Sequence, residues 1–106
     1  MLNYFKRRLK IGIIGCGAIG TILAKAIDRD LKGAKIVALS DMDLGRANAL
    51  SSQLSSKPKV TKGSDLIKMS DLVIEAASGK IVPEIAAKTF AARKDLMCMS
   101  VGGFIG

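Results

Sequence analysis

The sequence predicts an α/β fold in which helices cover both faces of a parallel sheet. Three observations predict it. Short apolar runs alternate with longer amphipathic stretches from Leu9 onward. The short runs are rich in Ile, Val and Leu without strict polar alternation, as suits strands buried on both faces. No repeat or low-complexity tract interrupts the pattern, so it reads as successive βαβ units. At 106 residues, 49% apolar and 25% charged, the chain is one domain able to bury one core.

Each element follows from its residues. Leu9 to Ile14 is a buried strand bounded by charge and by Gly15. Ile19, Ile22, Leu23, Ala26 and Ile27 recur at helical spacing and predict one apolar helix face, closed by Asp28, Arg29, Asp30 and Gly33. Residues 35–41 form a second strand. Residues 44–54 form a second helix with Ala47, Leu50 and Leu54 inward, broken by residues 55–58. Lys59, Val60 and Thr61 suit a short third strand, and Ser64 and Asp65 suit the cap of a brief helix through Met69. Residues 71–75 are a fourth strand. Residues 80–92 are a helix with Val82, Ala86 and Phe90 stacked four apart, and Pro83 is tolerated in its first turn. Residues 94–100 are a fifth strand that buries Cys98, with Met97 and Met99 as packing. About five strands leave the doubly wound sheet incomplete. Residues 1–8 are a basic N-terminal extension and residues 9–106 the domain.

Composition removes several chemistries. The chain holds no histidine, which excludes a Ser-His-Asp or Cys-His apparatus and any His-ligated metal within it. Cys16 and Cys98 are too far apart in sequence for a CxxC pair and read as free thiols of a reducing compartment. No metal site is expected. Lys6, Arg7, Arg8 and Lys10 precede an apolar run that imitates a leader peptide, but glycines interrupt that run and Lys25 ends it. A cytoplasmic protein without a membrane partner is expected. The formal charge of +8 invites nucleic acid, yet one Tyr, three Phe and no Trp supply no stacking platform, so none is expected.

The chemistry lies in the first turn. Gly15-Cys16-Gly17-Ala18-Ile19-Gly20 fits G-x-G-x-x-G, follows a strand and opens a helix. Asp41, ending the next strand, stands 21 residues past Gly20, near the spacing at which an acid meets a ribose. This is the fingerprint of a Rossmann-type dinucleotide site. Gly15 makes the tight turn, Gly17 lets the pyrophosphate approach the backbone, and Gly20 lets the helix close on the strand. The N–H groups at the start of that helix, from Ala18, Ile19 and Gly20, face the anion. Asp41 accepts from both adenosine ribose hydroxyls and repels a 2′-phosphate, which favours NAD, with NADP the alternative because Arg46 is close. Asp43 is the alternative acid. Cys16 lies beside the phosphate-binding amides, a setting that depresses a thiol pKa. Ligands of doubly wound sheets cross the C-terminal strand ends. Ala76, Ala77, Ser78 and Gly79 after the fourth strand, and Ser100 to Gly103 after the fifth, are therefore candidates for the ribose and nicotinamide.

The blocks LKIGIIGCGAIG (residues 9–20), DLVIEAAS (residues 71–78) and KDLMCMSVG (residues 94–102) together resemble the N-terminal half of archaeal-type L-aspartate dehydrogenases. The resemblance spans nearly the whole chain from Leu9. It implies hydride exchange between a nicotinamide cofactor and the α-carbon of aspartate, through an iminosuccinate. Gly15, Gly17 and Gly20 would serve the pyrophosphate, Asp41 the ribose, and Ala76, Ala77 and Ser78 the cofactor's path. Gly103 takes the position of a cofactor-contacting alanine. Arg93 stands where the family has glycine, which leaves the end of the fourth helix open. In the family a second domain brings a catalytic histidine and the substrate pocket, and no residue here takes a catalytic role. The expectation is a cofactor-binding half that binds dinucleotide and needs that second domain for a small-molecule substrate. A stand-alone NAD-sensing module is the alternative, and the short length suits it. A fifth strand left at the edge, with the apolar residues 101–105 beyond it, favours a homodimer.

Overall fold

The computed structural model describes residues 8–77 and 82–99, with only the helical backbone at Val82 and Pro83. Among the described residues nine elements alternate in the predicted order: β1 (Leu9–Ile14), α1 (Ala18–Asp30), β2 (Ala34–Ser40), α2 (Leu44–Gln53), β3 (Lys59–Val60), α3 (Gly63–Met69), β4 (Leu72–Glu75), α4 (Val82–Ala91) and β5 (Asp95–Cys98). All strands pair in parallel, in the order β3-β2-β1-β4-β5. The chain moves outward from β1 to β3, then crosses to β4 on the other side. That reversal at β1 is the topological switch point at which open α/β sheets bind ligands.

Alternation along β1 and β4 sorts the core into two layers, and a register shift in β2 between Ile36 and Ala38 lets Ile36 and Leu39 share one of them. Ile11, Ile13, Ile36, Leu39 and Ile74 pack with Ala24 and Ile27 of α1, with Ala47 and Leu50 of α2 and with its C-cap Leu54. Ile14, Ala38 and Val73 pack on the other face with Leu66 and Ile67 of α3 and Ile85 of α4. Full burial of each such Leu or Ile contributes ~1.5–3 kcal/mol, so the two layers hold the sheet from both sides. Gly12 lets α3 come down on β1, because a Cβ there would collide with Ser70 Oγ and Leu66.

Four local expectations change. The inward face of α1 is Gly20, Ala24 and Ile27, whereas Ile19 and Ile22 are 53% and 69% exposed. Close contact decides this face: a Cβ at Gly20 would run into the Gly15 carbonyl oxygen, so α1 must turn its smallest residues to the sheet. Helix α4 buries Ile85 and Thr89 in place of Phe90, which is 64% exposed. The Thr89 hydroxyl is satisfied by donating to the Ile85 carbonyl at 2.7 Å. Lys62, not Ser64 or Asp65, is the N-cap of α3, and it makes no side-chain cap bond. Asp65 stands in the first turn, where the helix dipole favours an acid. Finally, Cys98 is half-buried rather than core, and Met97 and Met99 are largely exposed. Among the described residues β5 pairs with β4 alone, so one of its sides lacks a neighbour.

The end of α4 is closed by Arg93 in the left-handed conformation, φ 58°. The Arg93 N–H donates to the Phe90 carbonyl and the Lys94 N–H to the Thr89 carbonyl, both at 3.0 Å. This is the Schellman pattern, whose left-handed position usually carries glycine. The helix start expected at Lys80 and the apolar residues 101–105 lie outside the described residues, as do Lys6 and Arg7.

Candidate functional site

Three strands end together around the first turn. The Gly15 N–H donates to the Ser40 carbonyl at 2.7 Å, and the Ala76 N–H donates to the Ile14 carbonyl at 2.8 Å. The ends of β2, β1 and β4 therefore stand side by side. A cleft of ≈ 690 Å³ opens there, and Gly15, Gly17, Asp41, Ala76 and Ala77 all line it. Five of the sequence-predicted residues are brought to one place. Gly20 lies beneath the loop, and Ala18 and Ile19 are exposed on the first turn of α1. Ser78 and Gly103 lie outside the described residues.

The loop geometry carries the chemistry. Gly15 has φ +101°, a conformation that disfavours any side chain, and a Cβ there would also stand 2.6 Å from the Ala77 nitrogen. Gly17 is different. Its backbone is extended, and a Cβ would meet only Arg46 Nη1 at 3.7 Å. Folding does not demand glycine at that position, whereas a ligand pressed against the backbone does. Gly17 is also the N-cap of α1, which has no side-chain cap and no acid in its first turn. The early N–H groups of a 13-residue helix thus remain available, and such a terminus attracts anions.

Asp41 ties the glycine-rich loop to the start of the segment that follows β2. Its Oδ2 accepts the Cys16 N–H at 2.6 Å and its Oδ1 accepts the Asp43 N–H at 2.8 Å. Each carboxylate oxygen has a second lone-pair direction, so ribose hydroxyls can still be accepted. Asp43 is occupied as the N-cap of α2: Oδ1 accepts the Arg46 N–H at 3.3 Å, and Oδ2 lies 3.7 Å from Arg46 Nε.

The Cys16 expectation reverses. Burial and, secondarily, the Asp41 charge push its thiol up to about 11, with Arg46 pulling weakly the other way. Its Sγ faces the Ser40 carbonyl at 3.8 Å, so it is a buried, protonated packing group.

Sequence reasoning missed two sets of residues. Met42, 98% exposed, stands at the cleft mouth beside Asp41, while Ile67 and Ile85 form an apolar wall, Lys62 adds positive charge, and Lys88 pairs with Glu84 at 2.9 Å. Only the fold brings α3 and α4 to this cleft, so no local motif signals them. Glu75 is the other omission. It is fully buried, and its Oε2 accepts the Ala77 N–H at 2.7 Å. A charged residue closing an apolar strand reads as a solvated strand end, and the signal was its place directly before Ala76-Ala77.

Among the described residues no group of three His, Cys, Asp or Glu side chains is placed to hold a metal ion. No described helix is long and apolar enough to cross a membrane.

Comparison with known proteins agrees with this geometry. The NAD-binding domain family of homoserine dehydrogenase matches residues 15–105. The L-aspartate dehydrogenase of Methanocaldococcus jannaschii is 47% identical over 96 residues, covering 89% of this chain and 36% of that protein. The L-aspartate dehydrogenase of Methanocella arvoryzae is 40% identical over 93 residues, covering 88% and 34%. The chain spans about a third of the length of these relatives. Among solved structures, myo-inositol dehydrogenase from Lactobacillus casei in complex with NAD(H) and myo-inositol superposes with a TM-score of 0.80 at 26% identity, over 86% of this chain and 28% of that one. A probable dehydrogenase from Thermotoga maritima superposes with a TM-score of 0.78 at 28% identity, over 85% and 27%.

Proposed function

The chain belongs to the family of homoserine dehydrogenase NAD-binding domains, and from that premise we propose that it is the cofactor-holding part of an L-aspartate dehydrogenase. The supporting observation is the 47% identity to such an enzyme across 89% of the chain. The cleft fits the cofactor. Bare backbone at Gly17 and the uncapped start of α1 suit a pyrophosphate, and Asp41 suits the adenosine ribose.

When bound, the nicotinamide supplies the hydride acceptor or donor for interconverting L-aspartate and iminosuccinate. This chain's residues orient it. Gly15, Gly17, Ala18, Ile19 and Gly20 hold the pyrophosphate against the helix start. Ala76, Ala77, Ser78 and Gly103 take the nicotinamide half. No histidine is present in this chain to move the substrate's proton, and the resemblance to L-aspartate dehydrogenases assigns that histidine and the aspartate pocket to a second domain. A hydride site needs the substrate carbon held against the ring with polar groups to orient it.

NAD is preferred because Asp41 repels a 2′-phosphate, and NADP is a weaker alternative because the Arg46 guanidinium lies over Gly17. The protein works in the cytoplasm and forms a homodimer, in keeping with the exposed Met97 on β5 and Met99 just after it. No nucleic acid takes part.

Calorimetric titration of the purified chain with NAD tests the reading. Saturable binding, with no NADH formed on adding L-aspartate, is expected. No binding, or steady NADH production, overturns it. Sedimentation as a clean monomer at high concentration overturns the dimer.

A further inference from the structure

We propose that Glu75 is a positioning residue of the cleft, whose carboxylate sets the Ala76–Ala77 turn where the nicotinamide half of the dinucleotide crosses the sheet. The proposal rests on the dinucleotide reading above and assigns a role to a group that reading does not use.

A carboxylate with no exposed surface is costly to keep in a core unless its oxygens are used. Glu75 ends β4, with Ile14 of β1 and Cys98 of β5 as its lateral partners, so it sits at the C-terminal ends of three adjacent strands. Its Oε2 accepts the Ala77 N–H at 2.7 Å.

Three constraints then converge on one turn. The Ala76 N–H is tied to the Ile14 carbonyl. The Ala77 nitrogen presses on the bare Cα of Gly15, with 2.6 Å to an imagined Cβ there. The Glu75 carboxylate fixes which way the Ala77 peptide faces. Remove that acceptor and the first two contacts still place the turn, but the bond that orients the Ala77 N–H is lost.

The order of strands gives this a functional meaning. Asp41 follows β2, Gly15 and Gly17 follow β1, and Ala76 and Ala77 follow β4, in the spatial order β2-β1-β4. A dinucleotide with its adenosine at Asp41 and its pyrophosphate at the glycines reaches the β4 turn with its nicotinamide ribose. AMP covers the first two stations and ends before the third. A side chain that only supports the fold would affect both ligands alike.

The test measures NAD and AMP dissociation constants by NMR titration of the wild-type chain, Glu75→Gln and Glu75→Met. Methionine fills the volume without an acceptor for the Ala77 N–H, whereas glutamine retains a carbonyl oxygen for it. Expected are about tenfold weaker NAD binding for Glu75→Met, as for loss of one charge-assisted hydrogen bond, unchanged AMP binding, and recovery of NAD binding in Glu75→Gln. Equal weakening of both ligands, no weakening of NAD, or a glutamine variant as weak as the methionine one overturns the proposal. Should Glu75→Met fail to fold, the wild-type chain decides: the Ala77 amide and Glu75 carboxyl resonances shift on adding NAD and stay still on adding AMP. Resonances unmoved by NAD, or moved equally by AMP, overturn it. A wild-type chain that binds no NAD refutes the dinucleotide reading instead.

Discussion

The main-chain N–H of Cys16 donates to Asp41 Oδ2 at 2.6 Å, joining the middle of the glycine-rich loop to the end of β2. One carboxylate therefore shapes the loop before any ligand arrives and also lines the cleft, where the proposed function sets the ribose. Pre-organisation of this kind removes ordering cost from binding. Asp41→Ala loses both roles, and Asp41→Asn keeps an acceptor for Cys16 but removes the charge that repels a 2′-phosphate. Since a hydrogen bond to a charged group contributes ~1.5–3 kcal/mol, NAD affinity should fall about 10- to 100-fold in Asp41→Ala. In Asp41→Asn the loss should be smaller, and the ratio of NADP to NAD affinity should rise. Calorimetric titration with both cofactors checks this, and an unchanged ratio would show that Asp41 does not face the ribose.

Gly17 and Gly20 separate binding from folding. An added methyl group at Gly17 meets only Arg46 Nη1 at 3.7 Å, the end of a flexible side chain. At Gly20 it meets the Gly15 carbonyl oxygen, which belongs to the backbone. Gly17→Ala should leave thermal stability unchanged while weakening NAD binding at least tenfold. Gly20→Ala should lower stability by ~1–3 kcal/mol, as overpacking does, which is of order 4–8 °C per kcal/mol for a domain of this size. Paired melting curves and NAD titrations decide between them. A Gly17→Ala protein that melts early but binds normally would reverse the assignment.

The contrast between these glycines explains how much of the site was legible in sequence. Glycine spacing and a strand-end acid are local demands, so the sequence could point to Gly15, Gly17 and Asp41, which line the cleft, and to Gly20 beneath the loop. The strands and the two-faced core were legible because Ile11 to Ile14 and Leu72 to Ile74 are apolar without alternation. The inward face of α1 was not. Periodicity allows both the Ile19–Ile22 stripe and the Gly20–Ala24–Ile27 stripe, and only the contact of Gly20 with the Gly15 carbonyl chooses. Phe90 misled in the same way, because size and apolarity suggest burial while the register of α4 places Ile85 and Thr89 inward. Glu75 stayed hidden because its partner, the Ala77 N–H, is defined only once the turn exists.

Arg93 marks a place where stability can be raised. Its φ of 58° closes α4, and a left-handed non-glycine residue costs ~1–2 kcal/mol. Glycine reaches that conformation freely but loses more entropy on folding, ~0.5–1 kcal/mol relative to alanine. Arg93→Gly should therefore stabilise the chain by about 1 kcal/mol or slightly less, since the left-handed strain exceeds the entropy term. Urea unfolding, with both proteins showing the same denaturant slope, measures it. Destabilisation would mean that the Arg93 side chain contributes more than its backbone conformation costs.

Cys16 makes stability depend on alkaline pH. Its thiol is raised from 9.0 to about 11, first by burial and then by the Asp41 charge. Between those values the folded chain keeps a proton that the unfolded chain has released. The folded state then binds more protons than the unfolded one, so unfolding free energy falls as pH rises through the window. Its contribution is complete below pH 9 and lost by about pH 11. Cys98 is also raised, by burial and then by Glu75, and acts in the same direction, so Cys98→Ala is the proper background. Urea midpoints measured from pH 8 to pH 10.5 should fall more steeply for Cys98→Ala than for the double variant that also carries Cys16→Ala. At pH 8 a disulfide reagent should modify Cys98, which is half-buried, well before Cys16, which is 3% exposed. Fast modification of Cys16 in the folded chain, or identical pH slopes for the two proteins, would place its thiol outside the core.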